Sequence, residues 1–190
     1  METDIIEFLE PDRVIISLQD AKDYLRITPT NTREDSLIED NLIPASIDLI
    51  EKYINRDITA KRRSWILSQP EGDYFNLPYA PIKTITQIEV ELYDQQKKVL
   101  VPNQDYVFDE GSNPKICLRN DFYQSQKPTY RILYETEGIP DDKLRMIKTG
   151  ILTLTSALYI ERDGRSSRSL RNNYKDWLNR YKNYGYYGKR

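Results

Sequence analysis

Between Gly138 and Gly164 the chain reads GIPDDKLRMIKTGILTLTSALYIERDG, and no other stretch restricts the possible folds so tightly. Leu144, Ile147, Ile151, Leu154 and Leu158 recur at spacings of three and four, which keeps all five on one helical face. Pro140 biases Ile139 toward extended backbone. Asp141 and Asp142 then supply acceptors and negative charge where a helix start leaves N–H groups free. Gly164 offers a left-handed cap at the far end. The stretch predicts one amphipathic helix over about 141–163. Five such side chains, at about 1.5–3 kcal/mol each when fully buried, represent a gross term on the order of 10 kcal/mol, comparable with the net stability of a whole domain. Such a helix must be covered, and the plainest cover is its own domain.

Two further helices precede it. In VIISLQDAKDYLRI, Ser17 can accept from the N–H three residues on and Asp20 stands at the matching capping-box position, so a helix is expected over about 18–26. After the turn chemistry of TPTNTRED, the segment 36–55 carries a wide apolar stripe that includes Leu37, Ile38, Leu42, Leu49, Ile50 and Ile54. Pro44 lies inside that stripe, and a kink or break is expected near residues 40–44. From about 62 to 135 the period changes to two: SWILSQ, TITQIEVELYD, DYVFD, PKICLR and TYRILYET are short runs rich in β-branched and aromatic residues, separated by Pro, Gly, Asn and Asp clusters. These predict a meander-like antiparallel β insert of five to seven strands, with Ile88, Val90 and Leu92 inward and Gln87, Glu89, Glu91 and Tyr93 outward. Residues 1–13 show no sustained period and are expected to form an arm or an edge strand. The fold class is α+β: a small helical bundle of two N-terminal helices and one long helix, with an antiparallel β insert and a C-terminal helical arm. On this reading residues 1–164 form the main domain and 165–190 the arm.

Composition excludes several chemistries. The chain has no histidine, which removes the commonest general base, the Ser-His-Asp and Cys-His arrangements and the usual zinc sites. Its single cysteine, Cys117, stands between Ile116 and Leu118 in a strand-like run, where a core or half-buried position is the expectation. Asp141 and Asp142 are accounted for by helix capping and Asp109 and Glu110 by a turn; Glu39 and Asp40 complete the acidic pairs. Phosphate-binding and nucleophile-elbow motifs are absent from the sequence. No catalytic residue, metal site or cofactor is expected. The acidic N-terminal stretch METDIIEFLEPDR is not a signal peptide, and no segment reaches the roughly 20 apolar residues of a membrane span, so a soluble protein made in the cytoplasm is expected.

The anomaly is the C-terminal end. Residues 161–190 hold nine Lys/Arg against three Asp/Glu, a local net of +6 that leaves −8 for the rest of the chain. Within it Leu170, Tyr174, Trp177, Tyr181 and Tyr184 repeat at helical spacing, interleaved with basic residues. Large aromatics near a terminus require a surface that buries them. That surface is either the chain's own domain or a groove of another subunit, where aromatic and Arg anchors carry most of the energy; nucleic-acid stacking is a third reading. Docking on another subunit is the preferred expectation.

Order and pattern together resemble a known family. The succession SLQDAKDYLRI, DSLIEDNLIPASIDLIEKYINRDI, RSWILSQPEGDYFNLPYAPIKTITQIEVELYD, DYVFD, YRILYETEGIP and DDKLRMIKTGILTLTSALYIERDG is similar to the head-to-tail connector (adaptor) proteins of tailed bacteriophages, prophages and gene transfer agents, over residues 17–164. The most specific pieces are LPYAPIKTITQIEVELYD and the Gly, Pro, long helix, Tyr-x-x-Arg pattern that ends on Tyr159 and Arg162. Pro44 departs from the uninterrupted second helix of the pattern, and the aromatic tail lies outside it. The resemblance implies a structural virion protein of the neck, assembled in the host cytoplasm, with about twelve copies in a closed ring beneath the portal. Portal, tail or stopper proteins would be its partners, and genomic DNA would pass through the channel without sequence-specific binding. A tail-completion or stopper role in the same neck, or a DNA-binding module using the arm, are the alternatives.

Overall fold

Pro44 shapes the second helix. Lacking an N–H and crowding the carbonyl four residues back, it cannot sit inside a regular α-helix. In the computed structural model, which describes residues 3–70, 72, 74–92, 96–110, 114–119, 128–162 and 174–182, the chain answers with a π-helical segment, Leu37–Leu42. There the Ile43 N–H donates to the Ile38 carbonyl five residues back, and the wider turn makes room for the pyrrolidine ring. A regular α-helix, α2 (Ile43–Ile54), then starts with Pro44 in its first turn, where the missing N–H costs nothing. The expected break is thus a π turn.

The chain divides into two compact units. One is helical and comprises Asp12–Ile54 and Ile139–Lys182. Its first helix, α1 (Leu18–Leu25), opens with the expected capping box: the Asp20 N–H donates to Ser17 Oγ at 3.1 Å, and the Ser17 N–H donates to Asp20 Oδ2 at 3.0 Å. Donation from the Ser17 hydroxyl to Asp20 Oδ2 at 2.7 Å, followed by that from the Ser17 N–H, holds the Asp20 carboxyl below its usual pKa. Arg26, in the left-handed region, closes the helix. The long helix begins later than its sequence suggests. Asp141–Lys143 form a 3-10 turn, and α3 runs from Leu144 to Glu161. Neither aspartate caps it through a side chain; Asp141 instead accepts from the Arg13 guanidinium at 3.0 Å. The expected cap at Gly164 lies outside the described residues.

Helix α3 packs on α1, α2 and the π segment. Leu144, Ile147, Ile151 and Leu154 are buried as the spacing predicts, together with Ile38, Ile43, Ile50 and Ile54. Leu158 stays half-buried. Gly150, Thr153, Thr155 and Ala157 are buried although a single-face reading leaves them out, because neighbours cover α3 from more than one side. The buried threonines are satisfied: Thr155 Oγ1 lies 3.0 Å from Ser46 Oγ, and Thr153 Oγ1 lies 3.1 Å from the Tyr24 hydroxyl.

The other unit is built from Met1–Pro11 and Asn55–Gly138. Its strands are β1 (Thr3–Phe8), β2 (Lys61–Ser68), β3 (Tyr74–Asn76), β4 (Ile82–Glu91), β5 (Lys97–Val99), β6 (Tyr106–Asp109), β7 (Lys115–Leu118) and β8 (Thr129–Thr136). They form an antiparallel five-stranded sheet, ordered β1-β2-β8-β4-β5, and a three-stranded sheet, β3-β7-β6. Inward residues of both sheets meet in one core: Trp65 and Leu67 from β2, Ile88 and Val90 from β4, Tyr130, Ile132 and Tyr134 from β8, with Phe75, Tyr106, Ile116 and Leu118 from the smaller sheet. Strand β4 has the alternation read from sequence, with Ile88 and Val90 buried. Tyr93 is outside the described residues. The segment 1–13 supplies an edge strand. The β region is not a meander: β8 inserts between β2 and β4, and three strands leave for a second sheet. Alternation identifies which face of a strand is dry; it does not identify the neighbour, which non-local packing selects.

Candidate assembly interface

Residues 174–178 form a short helical run that passes into a 3-10 turn, Asn179–Tyr181. One side of it is seated on the helical unit. Tyr174 is buried and meets the ring of Tyr53 on α2 edge-on, at 5.8 Å between centroids. The Tyr53 hydroxyl donates to Asn179 Oδ1, and the ammonium groups of Lys182 and Lys175 lie 4.7 and 5.8 Å from the same ring. Leu178 is fully buried over Gly150 of α3, so closely that a Cβ on residue 150 would stand 3.1 Å from Leu178 Cδ1. Trp177 points elsewhere and keeps 37% of its surface exposed. Tyr181 is half-buried, with the Arg180 guanidinium 5.6 Å from its ring. Leu170 and Tyr184, the other two residues of the expected arm face, lie outside the described residues. Sequence reading missed Leu178 and Gly150. The available signal was a glycine in mid-helix, which costs about 1 kcal/mol relative to Ala and so marks a close approach.

A second constellation gives the Tyr-x-x-Arg pattern a physical role. The Tyr159 hydroxyl donates to Glu34 Oε2, and Arg162 Nη1 reaches Glu34 Oε1 at 2.8 Å while its guanidinium stacks on the Tyr159 ring at 3.9 Å. The Tyr159 bond, with Arg162 behind it, holds the Glu34 carboxyl below its usual pKa, and the same bond raises that of the phenol. Next to Glu34, Asp35 accepts from the buried ammonium of Lys22 at 2.7 Å; Lys22 also donates to the carbonyls of Asn31 and Pro29 at 2.8 and 3.1 Å. Together these contacts pin the connection between α1 and the π segment to the end of α3. They fix shape.

In the β unit the polar interior is similarly closed. Asp57 is fully buried. It accepts from Arg63 Nε at 2.8 Å and Nη2 at 2.5 Å, and from the Thr136 hydroxyl at 2.6 Å, with Lys61 Nζ at 3.6 Å. The Arg63 guanidinium stacks 3.7 Å from the Tyr79 ring, within the LPYAP segment, where the Tyr134 hydroxyl donates to the Pro78 carbonyl at 3.0 Å. Desolvation opposes the charge on Arg63, and the Asp57 carboxylate outweighs it, so its pKa rises. This knot ties β2, β8 and the LPYAP segment together. Among the described residues no group of His, Cys, Asp or Glu could hold a metal ion, and no helix is long and apolar enough to cross a membrane. Cys117 is half-buried in β7.

The surface is richer. The larger sheet ends on β1, where Ile5, Ile6 and Phe8 are 39%, 56% and 53% exposed. At the other edge Val99 of β5 and the nearby Val101 are also exposed. Among the described residues, each unit therefore exposes apolar and aromatic surface, the material of protein–protein contacts.

No curated protein sequence matches the chain. Solved structures do. A chain from the neck of an empty gene transfer agent particle, computed with C6 symmetry, aligns with a TM-score of 0.67 at 16% identity over all of both chains. One from the virion of the native particle aligns with a TM-score of 0.69 at 15% identity, over all of this chain and 99% of that one. A third, from the native neck computed with C12 symmetry, gives 0.64 at 15% over both full lengths. At such identity the shared property is the fold. In sequence, residues 14–169 match the head completion protein family, a span that takes in both N-terminal helices, strands β2–β8 and α3 and stops short of the seated segment 174–182. The chain belongs to the head completion protein family.

Proposed function

We propose that the chain is a structural protein of the neck of a tailed phage, prophage or gene transfer agent particle, where it joins head to tail. The family match over residues 14–169 carries this reading. The fold it shares with chains from gene transfer agent necks and virions supports it. In this role about twelve copies close into a ring beneath the portal, tail or stopper proteins assemble on that ring, and DNA passes through its channel. The chain acts through buried contacts and transforms no substrate. A sequence without histidine, whose buried carboxylate Asp57 is consumed by Arg63, Lys61 and Thr136, suits that role.

The aromatic C-terminal segment serves assembly in two parts. Tyr174 and Leu178 seat it on its own chain, and Trp177 with Tyr181 meets another subunit. Mixing the purified chain with portal and weighing the product by native mass spectrometry tests the reading; a complex holding a ring of copies is expected. Trp177→Ala, on an exposed side chain, weakens ring formation by about 2 kcal/mol, roughly thirtyfold, as truncation of an interface anchor does. A chain that stays solitary beside portal and every other neck component refutes the proposal.

A further inference from the structure

The outward side of residues 174–182 has a complement elsewhere on the molecule. The segment is basic, with Lys175, Arg180 and Lys182 against Asp176, and it carries the exposed Trp177. The N-terminal residues 1–11 are acidic, with four Asp/Glu and no Lys or Arg, and their strand β1 exposes Ile5, Ile6 and Phe8. The two surfaces belong to different units of the chain. Both are apolar, and their charges are opposite.

Strand β1 is shaped against one kind of contact and toward another. A free edge invites a further strand, and natural proteins prevent that with bulges and charges. Here the β1–β2 register shifts between Ile5 and Glu7, so Ile6 is the extra residue of a bulge, and Asp4 and Glu7 flank the apolar pair. The bulge interrupts the ladder and re-aims a side chain. What β1 presents is therefore a set of apolar side chains with the Asp4 carboxylate beside them, Glu7 being paired with Arg62 of β2, ready for side-chain docking in place of strand addition.

We propose that β1 of one copy docks on the outward face of residues 174–182 of the next copy, with Ile5, Ile6 and Phe8 against Trp177 and Asp4 toward Arg180. The occupant is a second copy of this chain because a closed ring needs two different, mutually complementary patches on each subunit, and these two qualify in both polarity and charge. The inference rests on the ring of the proposed function and names its interface.

Disulfide trapping in assembled particles tests it. In a Cys117→Ser background, Ile6→Cys and Asp176→Cys in the same chain, which keep the Trp177 anchor, give on mild oxidation a ladder of cross-linked copies on a non-reducing gel, whereas either cysteine alone leaves a single-chain band. Asp4→Lys or Arg180→Glu each lowers incorporation of the chain into particles about tenfold, and the two combined restore it, as expected of a steering charge pair. Necks that contain the doubly substituted chain yet yield no ladder overturn the proposal, as do dimers from Ile6→Cys alone, which would report a two-fold contact. Particles assembled with the unaltered gene that lack the chain altogether overturn the neck reading itself, a separate and recognisable failure.

Discussion

Whether residues 174–182 belong to the folded helical unit is decided by one contact, that of Leu178 with Gly150. Leu178 is fully buried, and a methyl group at residue 150 would stand 3.1 Å from its Cδ1, 3.5 Å from its Cγ and 3.6 Å from Ile50 Cδ1. Two effects oppose each other in Gly150→Ala. Helix propensity favours Ala by about 1 kcal/mol at an interior position. The first contact is tighter than ordinary packing, and forcing a methyl group into a filled site costs about 1–3 kcal/mol. Gly150→Ala should therefore destabilise by about 0–2 kcal/mol. Leu178→Ala should cost about 2–5 kcal/mol, the range for a buried leucine. In the Leu178→Ala background the obstruction is gone, and Gly150→Ala should become stabilising by about 0.5–1 kcal/mol. The difference between the two backgrounds is the packing cost itself, a coupling of about 1–3 kcal/mol, above the roughly 0.3–0.5 kcal/mol within which independent sites add. Urea unfolding followed by circular dichroism at constant m-value measures all four corners of the cycle. Equal effects of Gly150→Ala in both backgrounds would refute the seating of this segment on α3.

Two further perturbations probe the polar frame. Asp57→Ala removes the carboxylate that neutralises Arg63 inside the β unit, and the loss should be about 3–5 kcal/mol, measured by denaturant unfolding; a change below about 1 kcal/mol would mean the charge is relieved some other way. Stability should fall in acid, because Glu34, Asp20 and Asp105 all have lowered pKa values in the fold. A depressed carboxylate contributes stability that is present above its unfolded pKa and lost as pH falls through the folded one. Tyr159→Phe removes the main cause at Glu34, so it should flatten the acid limb of a stability-versus-pH curve and speed amide exchange in residues 27–36; an unchanged limb and unchanged exchange would count against the clamp.

Local signals in this chain hold where no distant residue competes for the same group. Ser17 and Asp20 specify their capping box from three residues apart, and the structure repeats it atom for atom. Pro44 announces a discontinuity, yet whether it becomes a kink, a break or a π turn depends on how α2 and the preceding segment both keep contact with α3. Asp141 reads as a cap because the sequence near it offers nothing better. Arg13, more than a hundred positions away, claims the carboxylate. The same limit governs the sheets. The period-two run of β4 places Ile88 and Val90 inward correctly, whereas the order β1-β2-β8-β4-β5 is fixed by which strands complete the core around Tyr130, Ile132 and Tyr134.

The aromatic tail shows why a face can be legible while its partner is not. Spacings of four, three, four and three put Leu170, Tyr174, Trp177, Tyr181 and Tyr184 on one helical face, but only if the helix continues. Its described part tightens to a 3-10 turn at Asn179–Tyr181, so the extrapolation fails within one turn. The face that is buried is then defined by the pair Tyr174 and Leu178, four apart, and Trp177 falls off it. The mid-helix glycine opposite, Gly150, makes that pair the natural choice: a smooth notch in α3 accepts an aliphatic side chain more closely than a bulky indole. A tryptophan kept out of its own chain's core, beside three cations and one acid, has little reason to be there unless a second surface covers it. Among the described residues, strand β1 exposes apolar side chains beside the Asp4 carboxylate, and in the proposed ring it supplies that surface.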